Sequence, residues 1–592
     1  MASHSIDRQL SELEAARDDF SKGSATRILK LIRALDHSAL SEPRALIRFH
    51  EALLFLRAFP QSASVLRSVE RLLTRFHKKV AALRRSGADM SDFDTYEHSG
   101  IAGTSMEDTL SFDVARWLVR RLPGKVEIAW DSYEPGRELG TTGPRFMPLL
   151  EDDAFVEADT PWREWLTSAA SKSLKGGGTI PAWLITRFEA LPLSGQQQAE
   201  LYESLRVPLR WEMENSPVSR TRNWRATRKV FYHDRPLITR SQVSLRDELA
   251  RRPPGFTRLA QGEGGRIVEF IREVMLVRYR ELYGTTLADG RSVVRVDLGA
   301  SSGSQARTNS EDESRGLEIY LWNLPPERRL PLRAYLAGFT LKNGVPINYI
   351  EAIGLCEWME VGFNTFYTFR GGEAGWIYAQ VLRALCAFMG TTIVSIYPYQ
   401  LGHDNDEAIE SGAFWFYRKL GFRPGRAELL DLVKREEKKI AASDNAQNKY
   451  RTPARTLKRL AAGHVFYDLP GAGVGAWDRF STRNIGLQVN RRMGSEFAGD
   501  AERMREQARR ALERALRTKT ASWSALDRSA FDNFALVLAY APELRSWTTK
   551  EKEDLVRIIR AKSKADEMTY LHLTQRHLRL RDLLLRLGSE PH

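Results

Sequence analysis

The 592-residue chain is poor in several things that would have identified it quickly. It has two cysteines, Cys356 and Cys386, each inside an apolar stretch. Two thiols supply neither a disulfide framework nor a tetrahedral zinc site, and the expectation is two buried structural residues. No charge-free apolar run approaches the ~20 residues needed to span a bilayer. The first residues, Met1-Ala-Ser-His-Ser-Ile-Asp7, lack the basic-then-apolar layout of a secretory leader. These absences lead to the expectation of a soluble, cytoplasmic protein. Lys175-Gly-Gly-Gly-Thr179 has no Gly-Lys-Ser/Thr ending and is no P-loop, and no Gly-x-Ser-x-Gly elbow announces a serine hydrolase.

What is present is a globular composition, 42% hydrophobic and 10% aromatic, which excludes a disordered chain. The net charge of +14 permits anionic partners, from nucleic acid to phosphorylated cofactors. Arginine is scattered, however, and no basic block interleaved with aromatics favours nucleic acid.

Length alone asks for several cores. Residues 1–90 read as short helices, with apolar spacing in Ile28-Leu29-x-Leu31-Ile32 and from Val65 to Phe76. Breaks fall at Ser41-Glu42-Pro43 and Pro60-Gln61-Ser62. Residues 91–252 are a mixed α/β region, with a helix-like run at Phe112–Val119, a strand-like one at Val126–Trp130 and Pro253-Pro254-Gly255 as a boundary. Residues 253–445 carry a helix around Ile267–Val277, then strand-like runs at 293–298, 317–322, 333–340 and 346–355. Asn343-Gly344 is the hairpin signal between the last two. The Ser/Gly-rich stretch Gly299–Gly316 reads as a mobile insertion in a hairpin. Residues 446–592 return to helices, with one face at Met504, Ala508, Ala511, Leu512, Ala515 and Leu516 and another at Leu578, Leu580, Leu583, Leu584 and Leu587. Gly471-Ala-Gly473-Val-Gly475 reads as a turn, not as a dinucleotide loop.

The chemistry lies between residues 333 and 424. A strand from Trp358 to Phe369 runs into Arg370-Gly371-Gly372-Glu373-Ala374-Gly375, after which a helix opens at Trp376. A Gly-rich turn at a helix N-terminus presents free amides and the positive end of the helix dipole, a seat suited to a pyrophosphate. A strand at Thr391–Pro398 follows, then the run Phe414-Trp-Phe-Tyr417-Arg-Lys-Leu-Gly421-Phe422. Carboxylates on the strand before the loop, Glu357 and Glu360, with Glu351 one strand earlier, are candidate general bases. Glu357 and Glu360 have opposite parity, so a regular strand turns only one of them to a given face. His403-Asp404-Asn405-Asp406-Glu407 is a consecutive polar run with no second cluster, and no metal site is expected there. Asp406 and Glu407 suit the first turn of the following helix.

In this order the segment resembles the GNAT N-acyltransferase superfamily. Its acyl-CoA loop, Gln/Arg-x-x-Gly-x-Gly/Ala, is matched by Arg370 and Gly375, with Glu373 standing where the family has its central Gly. Its second motif, a helix ending in Tyr-x-Lys-Leu-Gly-Phe, is matched by Tyr417 to Phe422, while Glu410 replaces a frequent Asn. The resemblance implies an α/β (α+β) fold with a GNAT-like mixed sheet and flanking helices. It further implies transfer of an acyl group from acyl-CoA to an amine by direct attack, on a small molecule or a protein. By the same resemblance Tyr417 protonates the leaving thiolate. Glu357 stands thirteen residues before Arg370, the spacing of the base in histone-type members. Thr365, Phe366, Arg370, Gly371, Gly372, Ala374 and Gly375 would line the CoA site. Two alternatives stand beside it. The Glu373 departure and the positive charge allow an aminoacyl-tRNA-dependent transferase, and the long helical flanks allow a non-catalytic scaffold.

Overall fold

A computed structural model describes residues 2–133, 161–214, 216–227, 229–285, 288–298, 314–443, 449–469 and 472–589. Most of the expected insertion, residues 299–313, lies outside the described residues. The chain divides into two compact units: Met1–Pro236 with Ile267–Thr286 and Lys342–Pro346, and Leu237–Arg266 with Leu287–Leu341 and Ile347–His592.

The first unit opens with helices Ala2–Ala16, Ser24–His37, Pro43–Ala58 and Ala63–Arg85. The breaks seen in the sequence start two of them. Pro43 occupies the first turn of one, where its missing N–H costs nothing, and Ser62 caps another by accepting the Val65 N–H at 3.3 Å. The apolar stripes Ile28/Leu31/Ile32/Leu35 and Val65/Val69/Leu72/Leu73/Phe76 are buried, so they are core. A small sheet follows, made of β1 (Ser105–Thr109), β2 (Val126–Ile128) and β3 (Pro208–Glu212) in the order β1-β3-β2, antiparallel throughout. Trp211 on β3 lies between Met106 and Val126, all three buried, while its neighbour Arg210 lies between Glu107 and Glu127. This alternation puts the apolar row against helix Phe112–Arg121 and leaves the charged row outside.

The second unit is built on nine strands: β4 (Gly255–Arg258), β5 (Val294–Asp297), β6 (Leu317–Asn323), β7 (Ala334–Lys342), β8 (Val345–Leu355), β9 (Trp358–Thr365), β10 (Ile393–Ile396), β11 (Arg423–Pro424) and β12 (Val465–Asp468). Their spatial order is β11-β12-β10-β9-β8-β7-β6-β5-β4, which makes a mixed α/β architecture. β9 and β10 run parallel, as their connection through helix Ala374–Met389 requires, whereas β8–β9 and β10–β12 are antiparallel. β7 is buried along its whole length, as befits a central strand.

Two sequence expectations are corrected. The region after residue 446 is not wholly helical, because β12 leaves it to pair between β10 and β11. The strand expected to reach Phe369 ends at Thr365, and Tyr367–Phe369 is a single 3-10 turn. Of the C-terminal helices, Ala501–Leu516 buries Met504, Ala508, Leu512 and Leu516. Helix Leu578–Ser589 buries Leu580 and Leu583–Leu585, whereas Leu578 is 67% exposed. No helix among the described residues is long and apolar enough to cross a membrane.

Candidate functional site

The site is set by where β9 loses its neighbour. The parallel pairing of β9 with β10 covers only Trp358–Glu360 against Ile393–Ser395. β10 ends at Ile396, while β9 continues to Thr365, held on its other side by β8. The Phe366 N–H donates to Ile347 O at 3.0 Å, in register with the β8–β9 ladder. Alternation then gives the even residues of β9 their ladder bonds to β8 and turns the amides of Val361, Phe363 and Thr365 toward the open edge. Past Glu360 no described strand pairs with that edge of β9, so the paths of the two parallel strands part there.

Side chains alternate along β9. Phe363 packs on Tyr378 of the 374–389 helix, with ring centroids 4.7 Å apart, and Tyr417 meets the same ring at 5.6 Å. Trp358, Glu360 and Gly362 belong to the opposite face, where Trp358 stacks on Trp477 at 5.2 Å. Glu360 is therefore the carboxylate next to the divergence, on the face away from the helix. Its Oε2 lies 3.1 Å from His464 Nε2, and the His464 ring stands edge-on to the exposed Tyr397 at 5.4 Å. His464 was not anticipated. It arrives because it directly precedes β12, and the run Val465-Phe-Tyr467 after Gly463 was the available strand signal.

Glu357 and Glu351 are placed differently. Glu357 is not on β9 but in the two-residue turn between β8 and β9, beside Cys356 at φ +52°. Its carboxylate accepts the Trp477 indole N–H at 2.7 Å and the Arg581 Nε–H at 2.6 Å. Glu351 shares the face of Glu360 but accepts the hydroxyls of Tyr335 and Tyr349.

Tyr417 lies in helix Ala413–Lys419, which Gly412 enters at φ +70°. The residue is 4% exposed, and burial raises its phenol well above the ordinary value, so the hydroxyl stays protonated. Its O–H points to Gln400 Oε1 at 3.4 Å.

The loop before the 374–389 helix is ordered by its own charges. Arg370 is exposed, pairs with Glu407 and lies over Tyr367. Glu373 adopts φ +26° and is 2% exposed. Its carboxylate accepts the Ile238 N–H at 3.2 Å and pairs with Arg315, so the charge is matched inside the protein and does not face the loop's outer side. A side chain at Gly375 would lie 3.1–3.3 Å from Arg240. This close approach brings the half-buried Arg240 against the first helical turn, although no loop motif marked it. Gly371 is exposed and Ala374 half-buried, whereas Gly372 and Gly375 are buried. Thr365 is half-buried at the strand end; Phe366 is buried against Phe339, and its amide is committed to β8.

For a diphosphate, Arg370, Gly371, Ala374 and Arg240 are a chemically suitable set beside the helix N-terminus, with Arg370 now paired to Glu407, Arg240 donating to Lys419 O at 3.0 Å and Glu373 internally neutralised. Among the described residues no group of three or more His, Cys, Asp or Glu side chains is arranged around a metal. In the 403–407 run, Asp406 pairs with Lys458 at 2.8 Å and Asn405 caps the Ala408 N–H at 3.1 Å. Glu410, at the position of the family's Asn, is exposed. Both cysteines are buried, and burial pushes each thiol up to about 12. No family model, curated protein or solved structure matches this chain, so the reading of the site rests on its own geometry.

Proposed function

We propose that the second unit is a GNAT-like N-acyltransferase that moves an acyl group from acyl-CoA to an amine by direct attack. The observation that carries this reading is the divergence of β9 from β10 after Glu360, immediately followed in the chain by a cationic helix N-terminus. In the family that divergence is where the pantetheine arm lies. Bound acyl-CoA supplies an activated thioester carbonyl. Glu360 accepts a proton from the amine, and the hydrogen bond from His464 orients the carboxylate. The Phe363 N–H points into the open edge, where it is positioned to donate to an oxygen. The buried Tyr417 O–H donates the proton that the leaving sulfur needs. Glu357, held by Trp477 and Arg581, is the weaker candidate for the base.

The pairing of Glu373 with Arg315 weakens one of the two motives for an aminoacyl-tRNA carrier, and the net charge of +14 remains as the other. The test is release of free thiol from acetyl-CoA with a panel of small amines, for wild type and Tyr417→Phe. Amine-dependent release that falls at least tenfold in the variant is expected. Equal turnover in both proteins removes Tyr417 from the mechanism, and no release with any amine counts against the transferase itself.

A further inference from the structure

The open edge of β9 is met by one side chain from across the divergence. Gln400 stands in the one-turn helix Pro398–Leu401 just after β10. Its Oε1 accepts the Phe363 N–H at 3.3 Å and the Tyr417 O–H at 3.4 Å. Its Nε2 lies 2.8 Å from where a Cβ on Gly362 would be, so a side chain at 362 would make the carboxamide shift from this position. A single carbonyl oxygen thus takes both donors that the proposed reaction uses on the thioester. Both bonds are long for their type, and a glutamine side chain turns on three single bonds, so withdrawal needs no backbone movement.

We infer that Gln400 is a placeholder: its carboxamide holds the position between Phe363 and Tyr417 that the thioester takes when acyl-CoA binds, with the acyl oxygen at the Phe363 N–H and the sulfur at the Tyr417 O–H. The inference rests on the acyl-CoA reading above. Gln400 is a positioning and specificity residue. It keeps the two donors pointed at this position, competes with the incoming acyl end, and limits the space for longer acyl chains. Removing it frees both donors and the volume of the carboxamide together.

The test is calorimetric binding of acetyl-CoA and butyryl-CoA to the full chain as wild type, Gln400→Ala and Gly362→Ala. The second variant leaves Gln400 in the sequence but sets a methyl group against its Nε2. Loss of one competing hydrogen-bonded group should tighten acetyl-CoA binding about fivefold in Gln400→Ala, with a larger gain for butyryl-CoA. Gly362→Ala should move affinity in the same direction by a smaller factor. Unchanged or weaker binding in Gln400→Ala, with wild type binding normally, overturns the placeholder. No binding by any of the three, each folded by its melting transition, removes the acyl-CoA reading itself and this inference with it.

Discussion

Two histidine–glutamate pairs among the described residues have nearly equal geometry and differ in access. In the first unit His50 Nδ1 is 2.9 Å from Glu51 Oε1, and its Nε2 is 2.9 Å from Thr221 Oγ1. Thr221 Oγ1 also accepts the Ala102 N–H at 2.8 Å, which leaves its hydroxyl proton for Nε2 and the Nδ1 proton for Glu51. Arg220 adds a bond to Glu51 at 2.6 Å. The residue types resemble a catalytic triad, but His50 and Thr221 are fully buried and no substrate can reach them. In the second unit His464 is 3.1 Å from Glu360, with 31% and 18% of the side chains exposed, beside a strand edge that has lost its partner. A closed, fully bonded pair fixes packing, whereas a pair with one open side is available for proton transfer.

The largest effect should come from breaking the open pair. Glu360→Gln is expected to lower amine-dependent turnover about 10²- to 10⁴-fold while leaving the melting transition of the protein within a few degrees of wild type. A variant that loses activity and stability together would place Glu360 with the structural pair. The mirror-image change is His50→Ala, expected to cost about 2–4 kcal/mol in chemical unfolding, since it removes one buried hydrogen bond each from Glu51 and Thr221 and leaves a cavity where the ring packed. Acyl transfer per folded molecule should stay the same in that variant.

The closed pair also has a pH signature. Burial holds the His50 pKa below its ordinary 6.5, with Glu51 opposing and Arg220 and Arg278 reinforcing the shift. The unfolded chain therefore binds more protons than the native one once the pH falls below about 6.5, and stability falls with pH through that window. One such group gives a slope of up to about 1.4 kcal/mol per pH unit. His98, also lowered by burial, acts with the same sign. Urea midpoints at pH 7.5 and 5.5 should converge in His50→Gln relative to wild type, with the part due to His98 remaining. An unchanged slope would mean that His50 binds its proton equally well in the native and unfolded states. The smallest effect is on the thiols. Cys356 and Cys386 should stay unlabelled by a thiol reagent at pH 8 until the protein unfolds.

The sequence reading was most informative where local physics dominates. Asn343-Gly344, the strand-like apolar runs of β5 to β8, and the Gly-rich turn before the 374–389 helix all have short-range signals, and each lies close to its expected place. Tyr417 was singled out by a motif, whereas strand parity set Glu357 and Glu360 on different faces without choosing between them. What could not be read was long-range. His464 reaches Glu360 only because β12 crosses from the C-terminal region into the sheet, and Arg315 reaches Glu373 from more than fifty residues upstream. Gln400 was missed for a second reason: nothing in Pro398-Tyr-Gln-Leu401 marks a glutamine that caps the free edge of another strand.

The central claim is that the divergence of β9 and β10 is an acyl-CoA site, and calorimetric titration of the wild-type chain with acetyl-CoA tests it most directly. The account predicts saturable one-site binding in the range of about 1 μM to 1 mM, weakened by Arg370→Glu. The absence of any saturable heat at millimolar acetyl-CoA, from a protein that melts cooperatively, would contradict it.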